Sequence, residues 1–190
     1  MKKHYAGLME ALTDNKLVVL HRKSVDDNRM HGYVVGLSDA WVLLHLIDGS
    51  VVIPNGYKAL RLADVSNFKV DEDFVDEYLR LRGMYSSKVP QIELKDLHSL
   101  LLSISKNYPL FMIECERVEP GIGFVGQIEK LTKRSLFLEK IESTARWIGT
   151  EEFKLKDITS VDFGDGYVEA LAWMDAHFKE QESPRVETRG

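Results

Sequence analysis

The sequence predicts a mainly β fold with flanking helices (α+β), made twice over: a helix, about five short antiparallel strands, a helix, and then the same order again. Two observations carry this. The stretch LADVSNFKVDEDFVDEYL, residues 62 to 79, returns as LKDITSVDFGDGYVEALA, residues 155 to 172, with its apolar and acidic positions kept. Each copy is preceded by short runs of Val, Ile, Leu, Phe and Trp broken by turn residues, which is strand composition.

Adding 93 to a position of the first stretch carries Leu62 onto Leu155, Asp64 onto Asp157, Val65 onto Ile158, Phe68 onto Val161, Val70 onto Phe163, Phe74 onto Tyr167, Val75 onto Val168 and Tyr78 onto Leu171. Apolar meets apolar in all of these but one, where Asp meets Asp. Self-similarity over such a span is the mark of a duplicated unit. Upstream, RMHGYVVGL faces GIGFVGQI, setting Gly32 against Gly123, Tyr33 against Phe124 and Val34 against Val125 at an offset of 91. A difference in loop length accounts for the change, since loops absorb insertions at small cost. Further upstream, LVVLHRK (17 to 23) corresponds to LFMIECER (110 to 117).

Each unit opens on an amphipathic helix. Tyr5, Leu8, Met9 and Leu12 fall at i, i+3, i+4 and i+7, and Leu94, Leu97, Leu101 and Ile104 recur at three- and four-residue steps. A closing helix is expected from Phe74, Val75 and Tyr78 in one unit and from Tyr167, Val168, Leu171, Met174 and Phe178 in the other. SVDDN and EPGIG separate the first two strands of each unit, and IPNGY marks a further bend. GMYSSKVPQ, residues 83 to 91, has linker composition, so the units are expected at 1–83 and 84–182, with 183–190 a flexible tail.

The chain has 190 residues, 44% hydrophobic and 29% charged, an ordinary globular balance. Its net charge of -5, from 25 basic and 30 acidic residues, removes any general pull toward phosphate backbones, although a local basic patch survives such a total. The single cysteine, Cys115, forms no intrachain disulfide and sits in the apolar stretch LFMIECE, which fits a cytoplasmic protein. The opening residues contain no apolar run of signal-peptide length, and no stretch approaches the roughly 20 apolar residues of a membrane span. Neither export nor membrane insertion is expected.

A leading helix followed by five short, strongly bent strands resembles the Sm-like fold, a small barrel related in shape to SH3-like barrels. The residues behind the resemblance are LVVLHRK, GYVVGLSDAWVLLHLID and YKALRLADVSNFKV in the first half, and LFMIECER, GFVGQIEKLTKRSLFLEKI and FKLKDITSVDF in the second. It implies two five-stranded antiparallel barrels, each with an N-terminal and a C-terminal helix. Sm-like proteins that bind RNA resemble one another in two loops, one with an Asp followed shortly by Met-Asn, the other with an Arg-Gly pair. Here Asp39 of LSDAWV fits but Ala40 and Trp41 do not, and Arg61 of LRLADVS has no glycine after it. The second half lacks both patterns, so the family's RNA site does not carry over residue by residue.

No nucleophile elbow, HExxH, CxxC pair, Walker loop or GxGxxG is present, so no catalytic residue and no cofactor is expected. His21, His31 and His45 lie on three neighbouring predicted strands; three ligands converging would make a metal site, but half-exposed strand histidines are the simpler reading and no metal is expected. FGDGYVEA has the glycines of a phosphate loop, yet its repeat partner VDEDFVDE lacks them at the same junction, which favours a turn and helix start. Trp41, Trp147, Trp173, Tyr33, Phe124 and Phe137 suit a base-stacking platform or, for most of them, a core. Asp71, Glu72, Asp73, Asp76 and Glu77 form the densest charge run, either a solvated face or a docking surface for a basic partner.

These observations lead to a non-enzymatic binding protein that engages a protein partner, as an adaptor or an immunity-type protein would. The rival is RNA or nucleotide binding through a degenerate barrel, which requires Lys130, Lys133, Arg134, Lys140, Arg146, Lys154 and Lys156 to gather on one face. The oligomeric state stays open.

Overall fold

Ten strands in one antiparallel sheet and four α-helices make up the computed structural model, which describes residues 4–71, 73–84 and 89–182. The first half runs α1 (Tyr5–Thr13), β1 (Leu17–Arg22), β2 (Asp26–Leu37), β3 (Trp41–Asp48), β4 (Ile53–Arg61), β5 (Asn67–Val70) and α2 (Phe74–Leu81). The second runs α3 (Leu97–Ser105), β6 (Phe111–Glu114), β7 (Gly123–Leu131), β8 (Ser135–Ile141), β9 (Trp147–Lys154), β10 (Ser160–Phe163) and α4 (Gly166–Glu182). The expected order of a helix, five strands and a helix therefore occurs twice. The expected tail, 183–190, and residues 85–88 of the expected linker fall outside the described residues.

The expectation of two closed barrels is not met. The sheet is open, in the order β5-β1-β2-β3-β4-β10-β6-β7-β8-β9. Each half keeps the same internal order, last strand first, but β4 turns its outer edge to β10 of the other half: Leu60 faces Ser160, Ala59 faces Val161, Lys58 faces Asp162 and Tyr57 faces Phe163. Backbone groups that would close the first half on itself are used to join it to the second.

The ladders also correct the alignment of the repeat. Leu20 pairs with Phe68 as Ile113 pairs with Val161, at the expected offset of 93. Across β2 and β3, Gly32 pairs with Leu46, and across β7 and β8, Gly126 pairs with Lys140, at an offset of 94. Both ladders slip at the same place, between Val34 and Gly36 in one half and between Ile128 and Lys130 in the other. Gly32 thus corresponds to Gly126 and not to Gly123; the second β-β connection is one residue longer, not two shorter. The two glycines share a reason. A Cβ at Gly32 would sit 2.6 Å from the carbonyl oxygen of His45, and one at Gly126 would collide with the carbonyl of the equivalent Glu139.

Leu17 to Leu20 of β1 and Trp41 to Leu44 of β3 are apolar without a break because both faces of the sheet are covered there, and alternate side chains enter different cores. Val18, Leu20, Val34, Val42, Leu44 and Leu60 lie beneath Leu8 and Ala11 of α1. Leu17, Trp41, Leu43 and Ala59 enter the largest core, where they meet Leu100, Leu101 and Ile104 of α3 and Phe111, Ile113, Leu138, Phe153 and Val161 of the second half. Asp96 starts α3 by accepting a 2.8 Å hydrogen bond from the Ser99 amide on its side chain. A third core seats Val168 and Leu171 of α4 on Leu110, Val125 and Ile141.

Charged side chains cross the joint between the halves. Arg22 is 0% exposed and donates through Nη1 and Nη2 to Glu116 at 2.8 and 2.6 Å, while Thr159 Oγ1 donates to Glu116 Oε2 at 2.6 Å. Lys58 donates to Glu114 at 2.6 Å and lies 3.0 Å from Asp162. Arg61 donates to the carbonyls of Ile158 and Leu155 at 2.6 and 2.7 Å, and Arg117 pairs with Asp64.

A buried ion is stable only while its partner is present. Arg22→Met is expected to lower unfolding free energy by about 3–5 kcal/mol, because it strands a buried carboxylate, and Arg22→Met with Glu116→Leu should recover most of the loss. Urea denaturation of the three proteins measures both.

Candidate functional site

The acidic run does not form one surface. Asp71 is buried: its Oδ2 lies 3.1 Å from His31 Nδ1 and its Oδ1 accepts from the Asp73 amide at 3.2 Å. Asp76 accepts from the Tyr33 hydroxyl at 2.6 Å and from Arg80 Nε at 2.9 Å. Glu72 lies outside the described residues, which leaves Asp73 and Glu77 as the exposed acids of the five. Between them α2 shows an apolar stripe: Phe74 is 67% exposed, Leu81 80%, and Tyr78 is exposed on the same side at the fourth residue of the step. The sequence reading put Phe74 and Tyr78 on the buried face. The Tyr33–Asp76 bond, with Arg80 donating to the Asn15 carbonyl at 2.6 Å, rolls the helix so that Val75 and Leu79 face the core instead.

The basic residues of the second half divide. Lys133, Arg134, Lys154 and Lys156 line one cavity of about 430 Å³, with Ser135 and Leu155. Lys140 pairs instead with Glu151, Lys130 lies 5.5 Å from the centre of the Phe137 ring, and Arg146 borders a separate hollow by Trp147 and α4. Among the described residues none of the four cleft cations has a carboxylate partner within ion-pair distance.

Short-range chemistry fixes this cleft. Thr132 Oγ1 accepts from the Ser135 amide at 2.9 Å and the Thr132 amide donates to the Ser135 carbonyl at 2.9 Å, which folds the β7–β8 turn tightly and projects Lys133 and Arg134 from its tip. The Leu155 amide then donates to the Arg134 carbonyl at 2.9 Å, bringing the end of β9 alongside. The first half repeats both contacts: the Trp41 amide donates to Ser38 Oγ and the Leu62 amide to the Ala40 carbonyl, each at 2.9 Å. There, however, Trp41 stands where Ser135 stands, Arg61 stands where Lys154 stands, and the Arg61 guanidinium lies 5.7 Å from the centre of the Trp41 ring while holding the second half. One of two equivalent hollows is filled; the other is open and basic.

The other candidates are structural. Asp165 Oδ1 accepts from the amides of Tyr167 and Val168 at 2.9 and 3.0 Å, so FGDGYVEA is a helix start. His45 is buried and stacked 4.7 Å from Tyr57, and burial pushes its pKa down. No group of three or more metal-ligating side chains occurs among the described residues. Cys115 is buried, and burial pushes its thiol up to about 11, which keeps it protonated. Of the aromatic residues, Trp41 and Tyr33 are in the core and Trp147 Nε1 donates to Asp175 at 2.7 Å, but Trp173 is 64% exposed and stacks on His177, contrary to its expected core position.

Sequence reasoning missed Arg22, Lys58 and Asp162 as buried charges. Asp162 Oδ2 faces Lys58 off the hydrogen-bonding direction, and burial pushes this carboxyl up to about 6. Burial alone would lower the Lys58 pKa, but Asp162 and Glu114 outweigh it and raise it.

Comparison with known proteins returned no matching family model, no matching curated protein and no matching solved structure. No described helix is long and apolar enough to cross a membrane.

Asp162 gives the fold a pH dependence of definite sign. Between its ordinary value of 3.8 and about 6, the native state holds a proton that the unfolded chain has lost, so this group's contribution to stability is full below 3.8 and is lost as pH rises through about 6. Asp162→Asn is expected to flatten that part of the stability–pH curve, as read from urea midpoints across the interval.

Proposed function

We propose that the chain is a non-enzymatic, cytoplasmic binding protein built from two Sm-like halves fused edge to edge, and that its second half holds single-stranded RNA in the cleft between the β7–β8 turn and the end of β9. The observation that carries this is the convergence of Lys133, Arg134, Lys154 and Lys156, without acid partners, around one cavity. Lysine and arginine bind phosphate through charge and hydrogen bonds, and Leu155 offers an apolar surface beside them. An overall charge of -5 does not oppose this, because charges beyond a Debye length of about 8 Å are largely screened at physiological salt. The repeated strand order supports the Sm-like reading of each half, and the single buried Cys115 supports the cytoplasmic one. The non-enzymatic reading rests on the lack of catalytic motifs in the sequence.

Fluorescence anisotropy with labelled oligouridine tests the cleft. Binding is expected at low salt, with log affinity falling against log salt by about 0.7 per phosphate neutralised. Arg134→Glu and Lys154→Glu should each abolish it. No binding by the wild type at low salt would remove the proposal.

A second reading, a protein-docking role for α2 in an adaptor or immunity-type protein, is favoured by the exposed stripe of Phe74, Tyr78 and Leu81 flanked by Asp73 and Glu77. An apolar centre with a charged rim is how protein interfaces are built. Affinity capture of the tagged protein should then recover one stoichiometric basic protein, lost with Leu81→Asp.

A further inference from the structure

The closing helices of the two halves begin alike and end differently. Phe74 and Tyr167 each stand in the first turn, but α2 stops at Leu81 while α4 continues to Glu182. Gly83 ends α2: at a φ of +64° its amide donates to the Arg80 carbonyl and the Met84 amide donates to the Leu79 carbonyl. Ala176 holds the matching place in α4, where a left-handed backbone would strain its side chain, and the helix runs on for about two turns more. Those turns lie beside the β8–β9 turn and enclose with it a cavity of about 630 Å³.

The strand side of the cavity has changed as well. Ile141 pairs with Trp147 as Ile47 pairs with Pro54, and the Glu142 amide donates to the Arg146 carbonyl at 3.0 Å where Asp48 pairs with Ile53. Arg146 and Trp147 thus replace Ile53 and Pro54 in an otherwise equivalent turn, in which Ala145 and Val52 share a positive φ. The first half completes the same ladder without them, so strand pairing accounts for neither residue.

Asp175 of the added turns accepts from Trp147 Nε1 and from Lys179 Nζ, both at 2.7 Å, and Lys179 Nζ lies 5.3 Å from the centre of the Trp147 ring. One carboxylate therefore fixes the indole and offsets the lysine charge. Arg146 is exposed and, among the described residues, has no carboxylate within ion-pair distance. Phe178, 37% exposed, brings a second ring to the cavity, and Gln181 brings an amide. Two cations against one acid leave a positive charge beside two aromatic rings. We propose that this cavity binds a small planar aromatic anion, with its ring against Trp147 and Phe178 and its carboxylate or phosphate on the Arg146 guanidinium. Aromatic rings stack favourably, and the guanidinium fork matches either anion with two hydrogen bonds. The volume lies within the range of about 300–1,000 Å³ usual for small-molecule sites. Trp147 opens β9 and Lys154 ends it, so this cavity and the basic cleft lie at opposite ends of that strand, and the inference is independent of what the cleft holds.

Calorimetric titration and nitrogen-resolved NMR of the full chain test the proposal, with naphthoate and adenosine monophosphate as probes and naphthalene carboxamide and adenosine as their uncharged counterparts. At least one anion is expected to bind and to shift the Trp147 indole N–H resonance, assigned through Trp147→Phe; the tighter of the two separates carboxylate from phosphate recognition. Its uncharged counterpart should bind about tenfold more weakly, as should the anion to Arg146→Gln. Phe178→Ala should weaken binding too, with unchanged circular dichroism in both variants because both side chains are at the surface. Lys154→Glu, which alters the basic cleft alone, should bind as the wild type does. A wild type that ignores both anions at millimolar concentration, Arg146→Gln or Phe178→Ala at wild-type affinity, or binding lost with Lys154→Glu would each overturn the proposal.

Discussion

The buried pairing of Arg22 with Glu116 governs how the rest of the molecule is arranged. A guanidinium at 0% exposure on β1 is tolerable only because a carboxylate from the other half meets it with both oxygens, and that carboxylate is itself held by Thr159. Neither half can shed these residues into a dry interior alone without leaving an uncompensated ion. The same logic extends along the joint through Lys58, Glu114 and Asp162, and through Arg61 on the carbonyls beyond β9. Backbone pairing of β4 with β10 sets the distance; the charges set which strand may lie there.

With that joint in place, the largest core cannot belong to either half. Trp41 and Leu43 from β3 and Phe111 and Ile113 from β6 bury against one another beneath α3, so the second half's leading helix also covers the first half's sheet. The first half's own leading helix covers a core that draws on that half alone. Duplicate sequences have therefore been given different burial tasks, and their closing helices diverge likewise: α4 packs Leu171 inward, while the equivalent Tyr78 of α2 faces out.

Much of the architecture was legible because a repeat leaves a pattern that chance does not. Leu62 and Leu155 both follow the fourth strand of their half, and Phe74 and Tyr167 both open the closing helix, exposed in each case. The pairing of β4 with β10 was not legible, since which edge a strand offers, and to whom, leaves no periodic trace. The glycine of GYVVGL was matched to the wrong glycine of GIGFVGQI because composition alone cannot weigh a carbonyl contact, and it is the contact with His45 or Glu139 that requires Gly32 and Gly126. Polar residues on strands read as exposed, which hid Arg22, Lys58 and Asp162. The seven cations from Lys130 to Lys156 were visible in the sequence, but the turn made by Thr132 and Ser135 decides which four converge.

Equivalent positions in the two halves now do unequal work. Arg61 has become a strut, its hydrogens committed to backbone oxygens of its sister half, whereas Lys154 in the corresponding place faces an open hollow. Doubling a unit ordinarily doubles its valency, but here one copy surrendered its mouth to become the hinge-pin of the other. Any ligand entering that hollow would occupy the chain with a stoichiometry of one, and the asymmetry gives a duplicated sheet a front and a back.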